Sequence, residues 1–175
     1  MIGIKHKYLI IDTSILLVWL RVPGNNNCGP ADNVWDFERV NDKINEELER
    51  GTTFVLPLAS IIEAGNSITK VDEGHRGDYA SCLVDVIRKT AEKKSPWAAF
   101  SSQNELWDSN KLYELANSWL NEISKKGKVL SLGDVSILYV AEYYSQLGEV
   151  EILSGDQGLV ARQFQHKAYI PRRRQ

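Results

Sequence analysis

Residues 8–16, Tyr8-Leu9-Ile10-Ile11-Asp12-Thr13-Ser14-Ile15-Leu16, join two hydrophobic patterns at one acidic residue. Tyr8 to Ile11 is a short apolar run rich in β-branched residues, which reads as a strand buried on both faces. From Ser14 to Leu20 the pattern becomes helical and ends near Pro23. A buried strand passing directly into a helix is the opening of a βαβ arrangement and predicts a parallel sheet. The same run is a poor secretory leader. Asp12 sits in its middle, Arg21 ends it, and no small-residue cleavage site follows closely.

Outward from this junction, strand and helix signals alternate. A polar loop at 24–30 is full of turn formers. A helix follows from Val34 to Arg50 with Phe37, Val40, Ile44 and Leu48 as its apolar stripe, and Gly51 lies where a C-cap is expected. Thr53–Leu56 reads as a second strand, and Ser60 opens a helix carrying Ile61, Ile62, Ala64 and Ile68. Further helices are expected at 76–94 and from Leu112 to Ile123, the latter closed by Gly127. Val129–Leu132 reads as a third strand, Asp134–Gln146 as a helix, Val150–Leu153 as a fourth strand, and Leu159–Phe164 as a short helix. Ala168-Tyr169-Ile170 is a candidate edge strand stopped by Pro171. The expectation is one α/β domain over residues 1–175: a three-layer α/β/α sandwich with a mostly parallel central sheet. Residues 74–128, two successive helices with no strand between them, are expected to form a helical arm or cap beside it.

Composition narrows the function classes. The chain has 175 residues, 43% hydrophobic and 25% charged, with a formal net charge of -2. It is therefore no general electrostatic magnet for nucleic acid, and contact with a phosphate backbone has to be local or carried by cations. Cys28 and Cys82 form no CxxC or Cys/His cluster, so a zinc site and a disulfide scaffold are not expected, and free thiols in a cytoplasmic setting are. No stretch has the length of a membrane span.

Four acidic residues stand where the predicted strands end. Asp12 follows Leu9-Ile10-Ile11, Glu63 follows the strand at Phe54–Leu58, Asp134 lies just past Leu132, and Asp156 follows Ile152-Leu153-Ser154-Gly155. In an open parallel sheet the carboxyl ends of the strands share one edge, where ligands bind. Carboxylates gathered there repel one another unless a cation cancels their charge. Magnesium and manganese take oxygen ligands, and with such an ion in place an acidic pocket attracts a phosphodiester. Each acid also has a plain structural reading. Ser60–Glu63 and Ser131–Asp134 both match a capping box, Asp12 can start a helix, and Asp156 can sit in a Gly-Asp turn. The conjunction of four acids with four strand ends favours chemistry.

The segments around these acids resemble the PIN-domain family. Tyr8–Leu16 is similar to its opening motif, Leu58-Ala59-Ser60-Ile61-Ile62-Glu63 to its second, Leu132-Gly133-Asp134-Val135-Ser136-Ile137-Leu138 to its third, and Leu153-Ser154-Gly155-Asp156-Gln157-Gly158-Leu159 to its fourth. The resemblance covers nearly the whole chain in the right order. It implies a magnesium- or manganese-dependent endoribonuclease holding one or two ions, with Asp12, Glu63, Asp134 and Asp156 as catalytic metal ligands or their supports. Thr13, Ser14 and Ser154 are then expected to hydrogen-bond the carboxylates or the substrate. It also implies RNA as substrate and, as in many bacterial members, a toxin role with a protein antitoxin as partner; a homodimer is a further candidate, and the lack of a long apolar stretch speaks against membrane association. The alternative is a PIN-like scaffold that binds a partner without cutting, against which stands the retention of all four acids.

The loops at 24–30 and 95–110, the second carrying Trp97, Phe100 and Trp107, look like additions to the compact members of that family. Those aromatics can stack on unpaired bases or pack a loop against the core. Arg172-Arg173-Arg174 is a short basic tail, and Lys125, Lys126 and Lys128 suit a helix end. A phosphatase would want Asp-x-Asp where this chain has Asp12-Thr13-Ser14, and no Gly-rich phosphate loop is present.

Overall fold

The computed structural model describes residues 6–99, 103–104 and 107–167, with side chains as far as Gln163. β1 (Lys7–Ile11) runs between β4 (Thr53–Val55) and β5 (Glu149–Leu153), and both pairings are parallel. The register sets Ile10 beside Val55 on one side and Ile152 on the other. Leu9, Ile10 and Ile11 are fully buried, as a central strand covered on both faces requires.

Seven helices cover this sheet among the described residues: α1 (Thr13–Trp19), α2 (Phe37–Glu49), α3 (Leu58–Ile68), α4 (Arg76–Ala91), α5 (Ser109–Ile123), α6 (Leu132–Ser145) and α7 (Gln157–Lys167). Successive strand residues point to opposite faces. Accordingly Leu9, Ile11, Phe54 and Leu153 join one core with residues of α1, α2, α3 and α4. Ile10, Val55, Val150 and Ile152 join a second core with residues of α5, α6 and α7. Two cores on two faces make the molecule α/β in three layers.

Three sequence expectations change. Residues 129–132 form no strand. Ser131 caps α6 instead, its Oγ accepting from the Asp134 backbone N–H at 3.0 Å while the Asp134 carboxylate accepts from the Ser131 N–H at 2.9 Å. These reciprocal bonds satisfy two N–H groups at the helix start and draw Leu132 into the first turn, where it is exposed. Residues 74–128 do not stand together as an arm, since Leu83 and Val86 of α4 enter the first core and Leu115 of α5 enters the second. The 24–30 loop is tied into a hairpin, β2 (Asn27–Cys28) pairing antiparallel with β3 (Trp35–Asp36). Gly29 turns there with φ 92°, and a Cβ on it would meet the Asn33 carbonyl oxygen at 2.3 Å.

The segment between α4 and α5 is structural at its start. Phe54 N–H donates to the Pro96 carbonyl at 2.8 Å and Ala98 N–H to the Phe54 carbonyl at 2.8 Å, so residues 96–98 lie along the outer side of β4. Trp97 is buried against Phe54 and Trp19, and Trp107 is partly buried against the second core. Phe100, the candidate strand at 168–170 and the basic tail at 172–174 lie outside the described residues.

Away from the acidic edge, α2 and the sheet share a charge network. The fully buried Glu47 carboxylate accepts from Lys7 Nζ at 2.6 Å, Lys43 Nζ at 2.8 Å and Thr52 Oγ1 at 2.6 Å. Burial alone would push its pKa up, but these donors outweigh it and hold the carboxyl at about 2. A carboxyl with a lower pKa folded than unfolded stabilises the fold fully above the unfolded value, and that stability is lost as pH falls through the folded one. Acid unfolding should therefore draw on Glu47 between its ordinary 4.5 and about 2. Glu47→Gln is expected to cost about 3 kcal/mol at neutral pH and to flatten stability across that acid window. Urea melts of both proteins from neutral pH downward check this, and parallel pH curves would refute it.

Candidate functional site

Asp12 ends β1 and starts α1. Its backbone N–H continues the ladder to the Leu153 carbonyl at 3.1 Å, and its carbonyl accepts from Leu16 N–H. The strand thus delivers the side chain to the carboxyl edge of the sheet, where it is only 5% exposed. Asp12 Oδ2 accepts from Ser14 Oγ at 2.7 Å and from Ser154 Oγ at 2.6 Å. Both serines also accept: Gly155 N–H donates to Ser14 Oγ at 3.0 Å and Asp156 N–H to Ser154 Oγ at 2.9 Å. The turn after β5 is laced to Asp12 by two hydroxyls, each used as donor and acceptor. Burial pushes the Asp12 carboxyl above the ordinary range. The serine hydroxyls and the Thr13 backbone pull the other way, and the negative charge of Asp134 adds to the rise.

Glu63 reaches the same edge from α3. That helix starts earlier than Ser60, with Pro57 as an N-cap that makes no side-chain bond. The capping box expected for Ser60 and Glu63 is therefore not formed. Ser60 Oγ donates to the Ile11 carbonyl at 3.0 Å and pins α3 to the end of β1. Glu63, in the second turn, accepts from Thr13 Oγ1 at 2.7 Å through Oε2. Its other oxygen lies against Gly133, where an added Cβ would come within 2.2 Å. A larger residue at that point would displace the Glu63 carboxylate from its place, and Gly133, which directly precedes Asp134, is not among the residues singled out in the sequence.

Asp134 is both cap and neighbour. Its carboxylate closes the capping box on Ser131, and its charge is felt at Asp12. Asp156 is differently placed. It caps α7, with Oδ1 accepting from Gly158 N–H at 2.7 Å and Leu159 N–H at 3.4 Å, and it pairs with Lys128 Nζ at 2.9 Å. Burial pushes the Asp156 carboxyl up, but Lys128 and the backbone donors prevail and hold it below the ordinary range. Lys128, read from sequence as a helix-end cation, instead belongs to this edge. Its partner lies 28 positions away, so no local pattern could reveal the pairing.

Electrostatically the acids divide. Asp156 has its cation, whereas no ion pair reaches Asp12, Glu63 or Asp134 among the described residues. No three His, Cys, Asp or Glu side chains among the described residues form a ready coordination group. A hard divalent cation does not demand one, since magnesium commonly takes one or two carboxylates and completes its shell with water and substrate phosphate. The all-oxygen donors and uncompensated buried charge around Asp12 fit such an ion. No family model, curated protein or solved structure matches this chain.

Proposed function

We propose that this chain is a PIN-like, magnesium- or manganese-dependent ribonuclease that hydrolyses RNA phosphodiester bonds at the edge formed by Asp12, Glu63 and Asp134. One observation carries the reading: Asp12 is a buried carboxylate beside a second acid, its bonding partners are hydroxyls and backbone, and no ion pair reaches it among the described residues. A site arranged this way favours a divalent cation in the folded protein.

Asp12 and Glu63 are the residues proposed to hold one or two such ions, with Asp134 alongside. When bound, the ion supplies charge neutralisation and Lewis-acid stabilisation of the reacting phosphate. The chain's own residues orient these acids. Ser14 and Ser154 fix the Asp12 carboxylate by donating to one of its oxygens, and Thr13 does the same for Glu63. Ser60 sets the distance between α3 and β1 through its bond to Ile11. Asp156 is proposed to support the site through its helix cap and Lys128. RNA is the proposed substrate, and an antitoxin protein is proposed as a partner from the family resemblance alone.

Cleavage of a mixed RNA pool is expected in magnesium or manganese and is expected to disappear in excess EDTA. The same ions should raise the melting temperature, since saturation a hundredfold above Kd stabilises by about 2.7 kcal/mol. Undiminished cleavage in EDTA would overturn the metal-dependent reading. Metal-induced stabilisation with no cleavage of any RNA would favour the non-cutting scaffold.

A further inference from the structure

A cleft of about 390 Å³ opens beside the acidic edge, between the β2–β3 hairpin and the turn that follows β5. Cys28, Gly29 and Pro30 wall one side, while Lys128, Asp156 and Gln157 line the other. Ser14 also faces the cleft and bonds Asp12, so the cavity adjoins the proposed reaction site directly.

The wall is closely fitted. A Cβ on Gly155 would meet Cys28 Sγ at 2.7 Å and Gly29 N at 2.8 Å, so the hairpin is seated against the very turn that Ser14 and Ser154 tie to Asp12. The cation is also held. Lys128 Nζ contacts both Asp156 oxygens, at 2.9 and 3.1 Å, while its side chain stays 73% exposed. Asp156 is itself fixed by two backbone N–H groups of α7. An ammonium carries three donors, so Lys128 can keep its carboxylate and still reach an anionic oxygen.

We infer that this cleft seats the nucleotide flanking the scissile phosphate of a single-stranded RNA, with a backbone phosphate on Lys128 and the base against the Cys28–Pro30 wall. The inference rests on the nuclease reading for the position of the scissile bond. The volume lies in the range of small-molecule sites. The chemistry suits a nucleotide: one exposed cation for phosphate, an amide at Gln157, and a thiol and a pyrrolidine ring as an apolar surface. Asp156 acts here as a positioning residue, aiming Lys128 along the edge. The hairpin that looks in sequence like an added loop is the wall that makes the cleft.

The test measures binding and cutting separately. Binding of a short fluorescent single-stranded oligoribonucleotide is followed across a salt titration in an Asp12→Asn background, which prevents cutting, with and without Lys128→Gln. Lys128→Gln is expected to raise Kd several-fold and to reduce the salt slope by about 0.7, the contribution of one phosphate contact on a single strand. In the same background carrying Cys82→Ser, the oligoribonucleotide is expected to slow alkylation of Cys28 by iodoacetamide. Unchanged Kd and slope, with Cys28 equally reactive in the presence of RNA, would overturn the inference. Cutting by the unaltered protein decides the nuclease reading independently. RNA cleavage without a Lys128 effect removes the cleft proposal alone. A Lys128 effect with Cys28 protection but no cleavage leaves the cleft as a strand-binding site and removes the nuclease.

Discussion

Asp12→Asn is expected to lower the proposed RNA cleavage by about two orders of magnitude or more, while the metal-free protein is expected to melt at the same temperature or higher. The first half follows from the charge that the proposed cation and phosphate would require at this edge. Metal-centred charge stabilisation is worth several kcal/mol in the transition state, and about 1.4 kcal/mol is tenfold in rate. The second half follows from the raised pKa of Asp12. A carboxyl whose folded pKa lies above its unfolded value is held ionised at a cost to the fold, and that cost is present when pH exceeds both values. An amide is nearly isosteric, and its oxygen can still accept from Ser14 and Ser154. Thermal melts with and without manganese, beside a cleavage assay, check both halves. Loss of stability with cleavage intact would make Asp12 a structural N-cap and withdraw the proposed chemistry.

Trp97→Ala is expected to cost about 3–5 kcal/mol of stability, the range for truncating a buried large aromatic. Trp97 is only 7% exposed, packs edge-on to Phe54 with ring centres 5.6 Å apart, and lies 6.3 Å from Trp19. Its neighbours Pro96 and Ala98 exchange backbone hydrogen bonds with Phe54. Truncation therefore opens a cavity where β4 meets the first core, and it loosens the segment that covers the outer side of β4. Deleting residues 97–107, which removes Trp97 with them, is accordingly expected to unfold the protein rather than to change substrate preference. Urea unfolding of the single variant decides the point. A loss below about 1 kcal/mol would class Trp97 with surface residues and restore base stacking as its role.

Wherever a pattern is local, the sequence is readable. The apolar run before Asp12 is a strand because its residues are consecutive and apolar, with Ile10 and Ile11 β-branched. Helical periodicity finds the buried Val40 and Ile44 of α2 and Leu115 of α5, although Leu48, Leu112, Leu120 and Ile123 on the same apolar stripes are exposed. The bond pair between Ser131 and Asp134 forms across three positions, within reach of any reading of helix starts. That same cap explains the failure beside it. Val129–Leu132 has strand-like composition, but two satisfied N–H groups at the start of α6 outweigh that preference.

Other features depend on residues far apart in the chain, and those the sequence left open. Ser60 has the same local pattern as Ser131, yet its hydroxyl goes to Ile11, 49 positions away, and the matching cap does not form. Glu63 is held by Thr13 across 50 positions and accommodated by Gly133 on another helix. Lys128 finds Asp156, and Cys28 finds Gly155, only because the hairpin, the α5–α6 connection and the β5 turn meet at one edge. Whether α4 and α5 share a face is likewise invisible to periodicity, which says which side of a helix is buried but not against what. The sequence alone determined the α/β class, the central strand and the acids worth watching, because strand and helix patterns repeat over two to four residues. Tertiary structure decided that Asp156 pairs with Lys128, that the charge of Asp134 reaches Asp12, and that Trp97 is core, because those outcomes are set by contacts between elements.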